Sequence, residues 1–307
     1  MEIYRELNEN KGIAIALGFF DGLHLGHRKI IQTLIQKARA KNYKTAVITF
    51  EKNPADYFNP EPTLNIQTYK DKELLFSSLG IDYLYELDFE PLKDLSAKEY
   101  LENIIVKYFE PKIIVAGYNH TFGKNREGSP QFLSDNEVRL HYDAVIVPEF
   151  KYASEKNVSS SIIRNNIQTG DLNIVKAFLS RHFSFTSSVI KGAQMARKLG
   201  YPTANMIWPE SVVKLPYGVY YGFYQIGAKL IPALISWGNK PTLTQGREEV
   251  LEAHLYNFDE NLYGKIIKAV FVKKVREIRN FGGLKELTEQ IKKDYEGFEA
   301  WAKVSKY

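Results

Sequence analysis

Ten residues near the start of the chain, Gly18-Phe19-Phe20-Asp21-Gly22-Leu23-His24-Leu25-Gly26-His27, combine glycines with two imidazoles three positions apart. Glycines let backbone amides approach a ligand closely, and a helix beginning just beyond them presents its positive end to anions. His24 and His27 then stand together at that end. Two imidazoles there can hydrogen-bond triphosphate oxygens and stabilise charge on departing pyrophosphate, with no covalent step. Two other readings compete. An H-x-x-H pair can ligate a metal, although no third ligand is evident nearby and hydrolytic zinc helices use another spacing with a glutamate. Histidines can also serve packing alone, a use that a glycine-rich strand-to-helix turn makes less apt.

Such residues need a strand end and a helix entrance, and the flanking sequence supplies both. Residues 13–18, IAIALG, form an apolar run ending in glycine, and His27 to Asn42 place Ile30, Ile31, Leu34, Ile35 and Ala38 at helical spacing. A strand follows over Thr45–Phe50. Later apolar runs at Tyr83–Leu87, Lys112–Ala116 and Ala144–Pro148 alternate with helical patterns near 70–79, 97–109 and 131–141. Repetition of strand and helix at this spacing builds a parallel α/β sheet covered on both faces, with ligands beyond the strand C-termini. After about residue 183 the texture changes to FSFTSSVI, GVYYGFYQIG, KLIPALISWG, VLEAHLYNF and KIIKAVFVKKV, separated by glycine, proline and asparagine turns. That is the pattern of an antiparallel β-barrel. A last helix is expected from Leu284 to about Ala302, with Leu284, Leu287, Ile291, Tyr295 and Phe298 on one face, and the helical stretch 160–180 joins the halves.

Composition narrows the function classes. At 307 residues two domains are expected, 1–180 and 183–307, and either can bury a core without a metal or disulfide staple. The absence of cysteine excludes disulfides, thiolate zinc sites, iron-sulfur clusters and cysteine nucleophiles, and fits a reducing compartment, so a cytoplasmic location is expected. The opening MEIYRELNENKG has acidic residues and no apolar run, unlike a signal peptide. The longest uncharged stretch, Leu215 to Ala228, is 14 residues with three glycines, too short to cross a bilayer, so no membrane role is expected. The net charge of +5 is uneven: residues 1–180 carry 22 Lys+Arg against 24 Asp+Glu, and residues 181–307 carry 19 against 12. The basic second half fits either a well-solvated surface or phosphate-bearing ligands, and nucleic acid is not required.

The Gly18–His27 segment resembles the signature of bacterial FAD synthetases, a branch of the H-x-G-H nucleotidylyltransferases. Gly18, Phe19, Phe20, Asp21, Gly22 and Gly26 would then wrap the nucleotide, with His24 and His27 acting on its triphosphate. Downstream, Val158-Ser159-Ser160-Ser161-Ile162-Ile163-Arg164 is similar to the family's S-S-T-x-I-R stretch, serine standing at 161 for threonine. The resemblance gives Ser159 and Ser160 to phosphate and Arg164 to the triphosphate charge, although serines ahead of a helix are also plain N-caps. Ala116 to Gly128 resembles the family's loop after a sheet strand. It implies Asn119 near the reacting phosphates, with His120 where an aromatic is usual. Thr49 to Pro54 is similar to the flavin-side T-F-x-P-x-P loop, with Lys52 for the first proline. Pro54 and Phe58 would line the isoalloxazine ring, unless Phe58 only packs its loop.

The second half resembles the riboflavin kinase module that follows this domain in the same family. Gly200-Tyr201-Pro202-Thr203-Ala204-Asn205 matches its G-[FY]-P-T-A-N, after a basic loop containing Gly192 and Arg197. The resemblance places Gly192, Arg197, Gly200 and Pro202 at the nucleotide, and gives Thr203 and Asn205 to Mg2+, a fitting use of a hydroxyl and an amide as hard oxygen ligands. It makes Glu252 the carboxylate that orients and deprotonates the ribityl 5'-hydroxyl, though a glutamate on a strand is commonly only a surface residue. Arg276 and Phe281 fall in the flavin-side R-x-E-x-x-F segment. Three positions depart from the pattern: Ala196 for the glycine opening G-R-x-L-G, Asn257 for an aspartate, and Ile278 for an acidic residue.

The resemblance therefore implies adenylylation of FMN by MgATP to give FAD and pyrophosphate, and a weaker kinase making FMN from riboflavin. Its alternatives are an adenylyltransferase with a degenerate barrel, or a flavin-responsive binding protein without turnover. An acceptor such as a nicotinamide or pantetheine phosphate would not explain the barrel. The expected partners are ATP, FMN and riboflavin.

Overall fold

The computed structural model describes residues 1–153, 156–190, 203–241, 247–258, 260–279 and 281–305. Two compact units emerge, Met1–Asn65 with Tyr69–Ser160, and Ile66–Thr68 with Ser161–Tyr307.

The first unit runs β1 (Glu2–Tyr4), β2 (Ala14–Leu17), α1 (Leu25–Ala40), β3 (Thr45–Phe50), α2 (Tyr69–Leu79) and β4 (Tyr83–Leu87). Next come α3 (Ala97–Glu99), a π-helical run (Tyr100–Val106), α4 (Lys107–Phe109), β5 (Ile113–Gly117), α5 (Pro130–Leu140), β6 (Asp143–Val147) and a small hairpin of β7 (Lys151–Tyr152) and β8 (Lys156–Asn157). The sheet is six-stranded in the order β1-β4-β3-β2-β5-β6, and its pairings are parallel. From β2 the chain builds outward through β3 and β4, then returns to lay β5 on the other side of β2. The strand C-termini of β2 and β5 therefore flank the switch point where such sheets open a ligand crevice.

Alternation along β2 explains its burial on both faces. Ala14 and Ala16 pack with Ile31, Leu34 and Ala38 of α1. Ile15 and Leu17 pack with Leu101, Ile105 and Phe109. Leu34 is fully buried, so Leu34→Ala would cost about 2–5 kcal/mol and loosen the helix carrying His27. Strand β1 escapes the sequence pattern because three residues at a sheet edge leave no periodicity to read.

The second unit begins with α6 (Ser160–Thr169) and α7 (Leu172–Leu179), separated at Gly170, whose φ of +82° suits glycine. The expected helical stretch 160–180 thus consists of two helices. Six strands follow: β9 (Phe183–Ile190), β10 (Thr203–Met206), β11 (Gly218–Ile226), β12 (Lys229–Pro241), β13 (Arg247–Leu255) and β14 (Ile266–Arg276). They close an antiparallel barrel in the order β10-β13-β12-β11-β14-β9, with β9 also pairing β10. Phe183, Phe185, Tyr220, Trp237 and Phe271 are fully buried, and the side chains between them along each strand point outward. Helix α8 (Leu284–Val304) lies on that outer surface: Phe298 is fully buried, and Trp301 stacks on Tyr221 at 5.1 Å.

Candidate active sites

In the first unit, the turn after β2 is unusually bent. Phe20 (φ 56°), Gly22 (φ 76°) and Leu23 (φ 41°) lie in the left-handed region, a conformation that costs L-residues energy and persists only where packing enforces it. The Phe20 ring provides that packing. It covers Gly18 so closely that a Cβ there would meet it at 2.9 Å. The turn delivers His24 as the N-cap of α1, its Nδ1 accepting the His27 backbone N–H at 3.3 Å. That bond leaves a neutral His24 with its proton on Nε2.

The two imidazoles are stacked, centroids 3.6 Å apart and planes 20° from parallel. Side-by-side rings suit two donors to an oxygen-rich anion better than convergent ligation of one ion. Burial first, and the neighbouring His24 second, hold the His27 pKa well below the usual imidazole range, opposed by a hydrogen bond to the Asp21 backbone. His27 Nδ1 is buried with no hydrogen-bond partner. His27 is thus an uncharged ring at a helix entrance, where a bound anion would favour its protonated form.

Around this turn, Ser160 Oγ donates to the Asp21 carbonyl at 2.9 Å. At the end of β5, a Cβ on Gly117 would lie 3.1 Å from Ile30 Cδ1 and 3.6 Å from Asn119 Oδ1, so glycine lets α1 and the Asn119 amide close over the strand end. His120, stacked on Phe122 at 5.7 Å, has its pKa lowered to about 4 by burial and occupies the aromatic slot as a neutral ring. On the other side of β2, Asn53 caps a short turn, Pro54–Tyr57. Phe58 is 68% exposed, edge-on to Phe89 at 6.2 Å, an open aromatic rather than a packed one. Ser159 precedes α6, and Arg164 is half-buried one turn into it, within the second unit.

In the barrel, strand register does what sequence spacing could not. Asn205 of β10 pairs with Glu252 of β13, Glu252 with Ser236 of β12, Ser236 with Val219 of β11, and Val219 with Arg276 of β14. Residues directly opposite share a face, so these five form one row across the outer surface, spanning about 19 Å at ~4.8 Å per strand. The row is bounded on both sides. Gly238 lies under Ile278, to which a Cβ would approach within 3.0 Å. On the other side Thr203 pairs with His254, and His254 meets Tyr295 of α8 edge-on at 5.1 Å. Asn205 is buried, and its Oδ1 has no hydrogen-bond partner.

The residues at the far end are committed to holding the helix. Arg276 Nε donates to Asp294 Oδ1 at 3.0 Å and Nη2 to Oδ2 at 2.5 Å, while Gln290 Nε2 donates to Asp294 Oδ1 at 2.7 Å. The Phe281 ring carries the Arg279 guanidinium at 4.9 Å. Asn257 has φ 49°, a left-handed position that asparagine and aspartate both tolerate, so this departure leaves the turn intact. Gly192, Ala196, Arg197, Gly200 and Pro202 lie outside the described residues.

Two residues escaped the sequence reading. Ser236 has no motif around it, and only register sets it between Glu252 and Arg276. Lys72 sits in a polar-looking helical segment, YKDKE, yet its side chain is 3% exposed.

Among the described residues no helix is long and apolar enough to cross a membrane. Family descriptions match both units: FAD synthetase over residues 6–162 and riboflavin kinase over residues 179–302. A bifunctional riboflavin kinase/FMN adenylyltransferase of Bacillus subtilis (strain 168) is 34% identical over 91% of this chain and 89% of its own length. The protein of the same description from Escherichia coli (strain K12) is 28% identical over 92% of this chain and 91% of its own. A crystal structure titled macrolide-efflux protein, from Streptococcus pneumoniae, superposes with a TM-score of 0.87 at 25% identity, covering 98% of this chain and 100% of that one. With one family match on each half and relatives aligned along nearly the whole length, the chain belongs to the bifunctional riboflavin kinase/FMN adenylyltransferase family.

Proposed function

We propose that the chain catalyses two successive steps of FAD biosynthesis, phosphorylating riboflavin with ATP and adenylylating the resulting FMN with a second ATP, with residues 1–180 serving adenylylation and residues 183–307 the kinase. Family membership along both halves carries this reading. Product analysis tests it: riboflavin with MgATP should yield FMN and then FAD, and FMN with MgATP should yield FAD and pyrophosphate. Formation of FAD without FMN from riboflavin would leave the adenylyltransferase alone; no turnover of either would leave a flavin-binding protein.

In adenylylation, an FMN phosphate oxygen attacks the α-phosphorus of ATP, and the bond to the β-phosphate bridging oxygen breaks to release pyrophosphate. The bent turn from Gly18 through Phe19, Phe20, Asp21, Gly22 and Gly26 brings backbone amides to the nucleotide. His24 donates from Nε2 to the phosphates, and His27, protonated as the triphosphate binds, neutralises charge on the leaving group. Asn119 and Ser160 orient phosphate oxygens, with Ser159 at the same helix entrance. Arg164 enters by its sequence match alone. Pro54 and exposed Phe58 receive the flavin ring.

In the kinase, Glu252 takes the proton of the ribityl 5'-hydroxyl as that oxygen attacks the γ-phosphorus, with ADP leaving. The unpartnered Asn205 oxygen, one strand from Glu252 and on the same face as Thr203, fits a hard cation such as Mg2+, which when bound neutralises phosphate charge. The row from Glu252 through Ser236 and Val219 suits a five-carbon chain leading to a tricyclic ring near Phe281. Arg276 contributes at that end by fixing α8. Gly192, Arg197, Gly200 and Pro202 contribute the nucleotide loop by sequence match. The reducing character of the composition supports a cytoplasmic location.

A further inference from the structure

Lys72, in the first turn of α2, directs its ammonium toward the ends of three sheet strands. Nζ donates to the Phe50 carbonyl at 3.1 Å and to Thr49 Oγ1 at 3.3 Å, both at the end of β3. It lies 3.8 Å from Glu86 Oε1 of β4. It also faces the rings of Phe19, just past β2, at 4.9 Å and of Tyr69 at 5.2 Å. Thr49 Oγ1 in turn donates to the Phe19 carbonyl at 3.0 Å. The lysine thus holds Phe19 twice, by its ring face and, through Thr49, by its backbone.

Phe19 is the second residue of the Gly18–His27 turn, and Phe50 opens the segment leading to Pro54 and Phe58. Packing alone would favour a methionine here, since burying an ammonium carries a desolvation cost that only partial compensation meets. Burial accordingly lowers the Lys72 pKa to about 8, despite Glu86, Asp21 and Glu73, while Arg5 opposes the charge. Arg5 itself is engaged by Glu86 at 2.6 Å and Glu73 at 2.7 Å.

We propose that Lys72 is a positioning residue for adenylyl transfer, its ammonium fixing the nucleotide turn at Phe19 to the flavin segment at Phe50 so that the two substrates meet in one geometry. The inference rests on the adenylyltransferase reading, and wild-type FAD formation from FMN and MgATP tests that reading separately. The Glu86 ion pair and the ring-face contacts to Phe19 and Tyr69 require the charge, so wild-type turnover should fall as pH rises through about 8.

The experiment compares full-length wild type, Lys72→Met and Thr49→Val, measuring FAD formation between pH 6.5 and 9.5 with riboflavin phosphorylation as the folding control. Misalignment of reacting groups costs up to about a hundredfold in rate. Lys72→Met should therefore lower kcat for FAD roughly 10- to 100-fold, change either KM by less than about threefold, lose the alkaline limb, and leave FMN formation from riboflavin intact. Thr49→Val keeps the cation and breaks the relay to Phe19, so it should lose roughly 3- to 10-fold while retaining the limb. Wild-type kcat in a folded Lys72→Met protein, or a loss that keeps the alkaline limb, would overturn the proposal. If Lys72→Met does not fold, wild-type turnover in Thr49→Val overturns it and the partial loss supports it.

Discussion

Asn205 and Glu252 face one another across the β10–β13 pair, so the amide proposed for the cation and the carboxylate proposed as base come from adjacent strands of one closed barrel. Their separation is set by backbone hydrogen bonds rather than by a loop. Glu252→Gln keeps the shape and removes the base. It should lower riboflavin phosphorylation at least a hundredfold, while FAD formation from supplied FMN, measured in the same sample, stays within twofold. Equal loss of both reactions would show that the two sites are not independent.

His27→Ala should lower FMN adenylylation roughly ten- to a thousandfold at saturating MgATP, with FMN binding little changed, because the ring acts on charge that develops during transfer. Unchanged turnover would remove His27 from the mechanism.

Proton linkage gives a second check on the same ring. His27 has a pKa well below the ordinary imidazole value in the free protein, so it is neutral at pH 7, and a bound triphosphate raises it. MgATP binding at pH 6 to 7 should be accompanied by proton uptake, measured by calorimetry in buffers of different ionisation enthalpy. His27→Ala should abolish most of that uptake.

Arg276 and Asp294 join β14 to α8 through two parallel hydrogen bonds, with Asp294 buried. Arg276→Ala leaves that carboxylate without its cation, which should destabilise the barrel by about 3 kcal/mol. A chemical denaturation curve resolving the second unit would reveal it. A change in riboflavin KM with no change in stability would instead argue for direct flavin contact.

By the proposed reading, Ala196 stands where the family's G-R-x-L-G nucleotide loop opens with glycine, and if that position needs a positive φ an alanine costs roughly 1 kcal/mol. Ala196→Gly should tighten MgATP and raise FMN formation severalfold, and Glu252→Ala in that background should erase the gain.

The sequence made the parallel sheet legible because β2, β3 and β5 are nearly continuous apolar runs, and it made the His24–His27 turn legible because glycines and histidines crowd one strand end. The row on the barrel was not legible. Two register shifts in the β11–β14 pairing, between Val219 and Tyr220 and between Tyr221 and Gly222, bring Arg276 opposite Val219. Without them Lys274 would stand there, since the β14 pairing partner moves by two residues, about 6.6 Å along the strand. Nothing in the one-dimensional pattern announces such bulges. Lys72 was hidden for a related reason: a lysine in a polar helical turn reads as solvated, and only the assembled strand ends around it reveal the contrary. Strand β10 is not among the strands the sequence predicts, because its four residues carry little periodicity of their own.

Closure of the barrel limits how this enzyme could be remade to accept other sugars or rings. An open sheet can splay its edge to admit a bulkier ligand, but a ring of six mutually bonded strands has no edge to move. Directed evolution of acceptor range should therefore find its productive substitutions in the walls, at Ile278 above Gly238 and at Tyr295 beside His254, while changes beneath Ser236 and Val219 cost solubility and yield before they gain breadth.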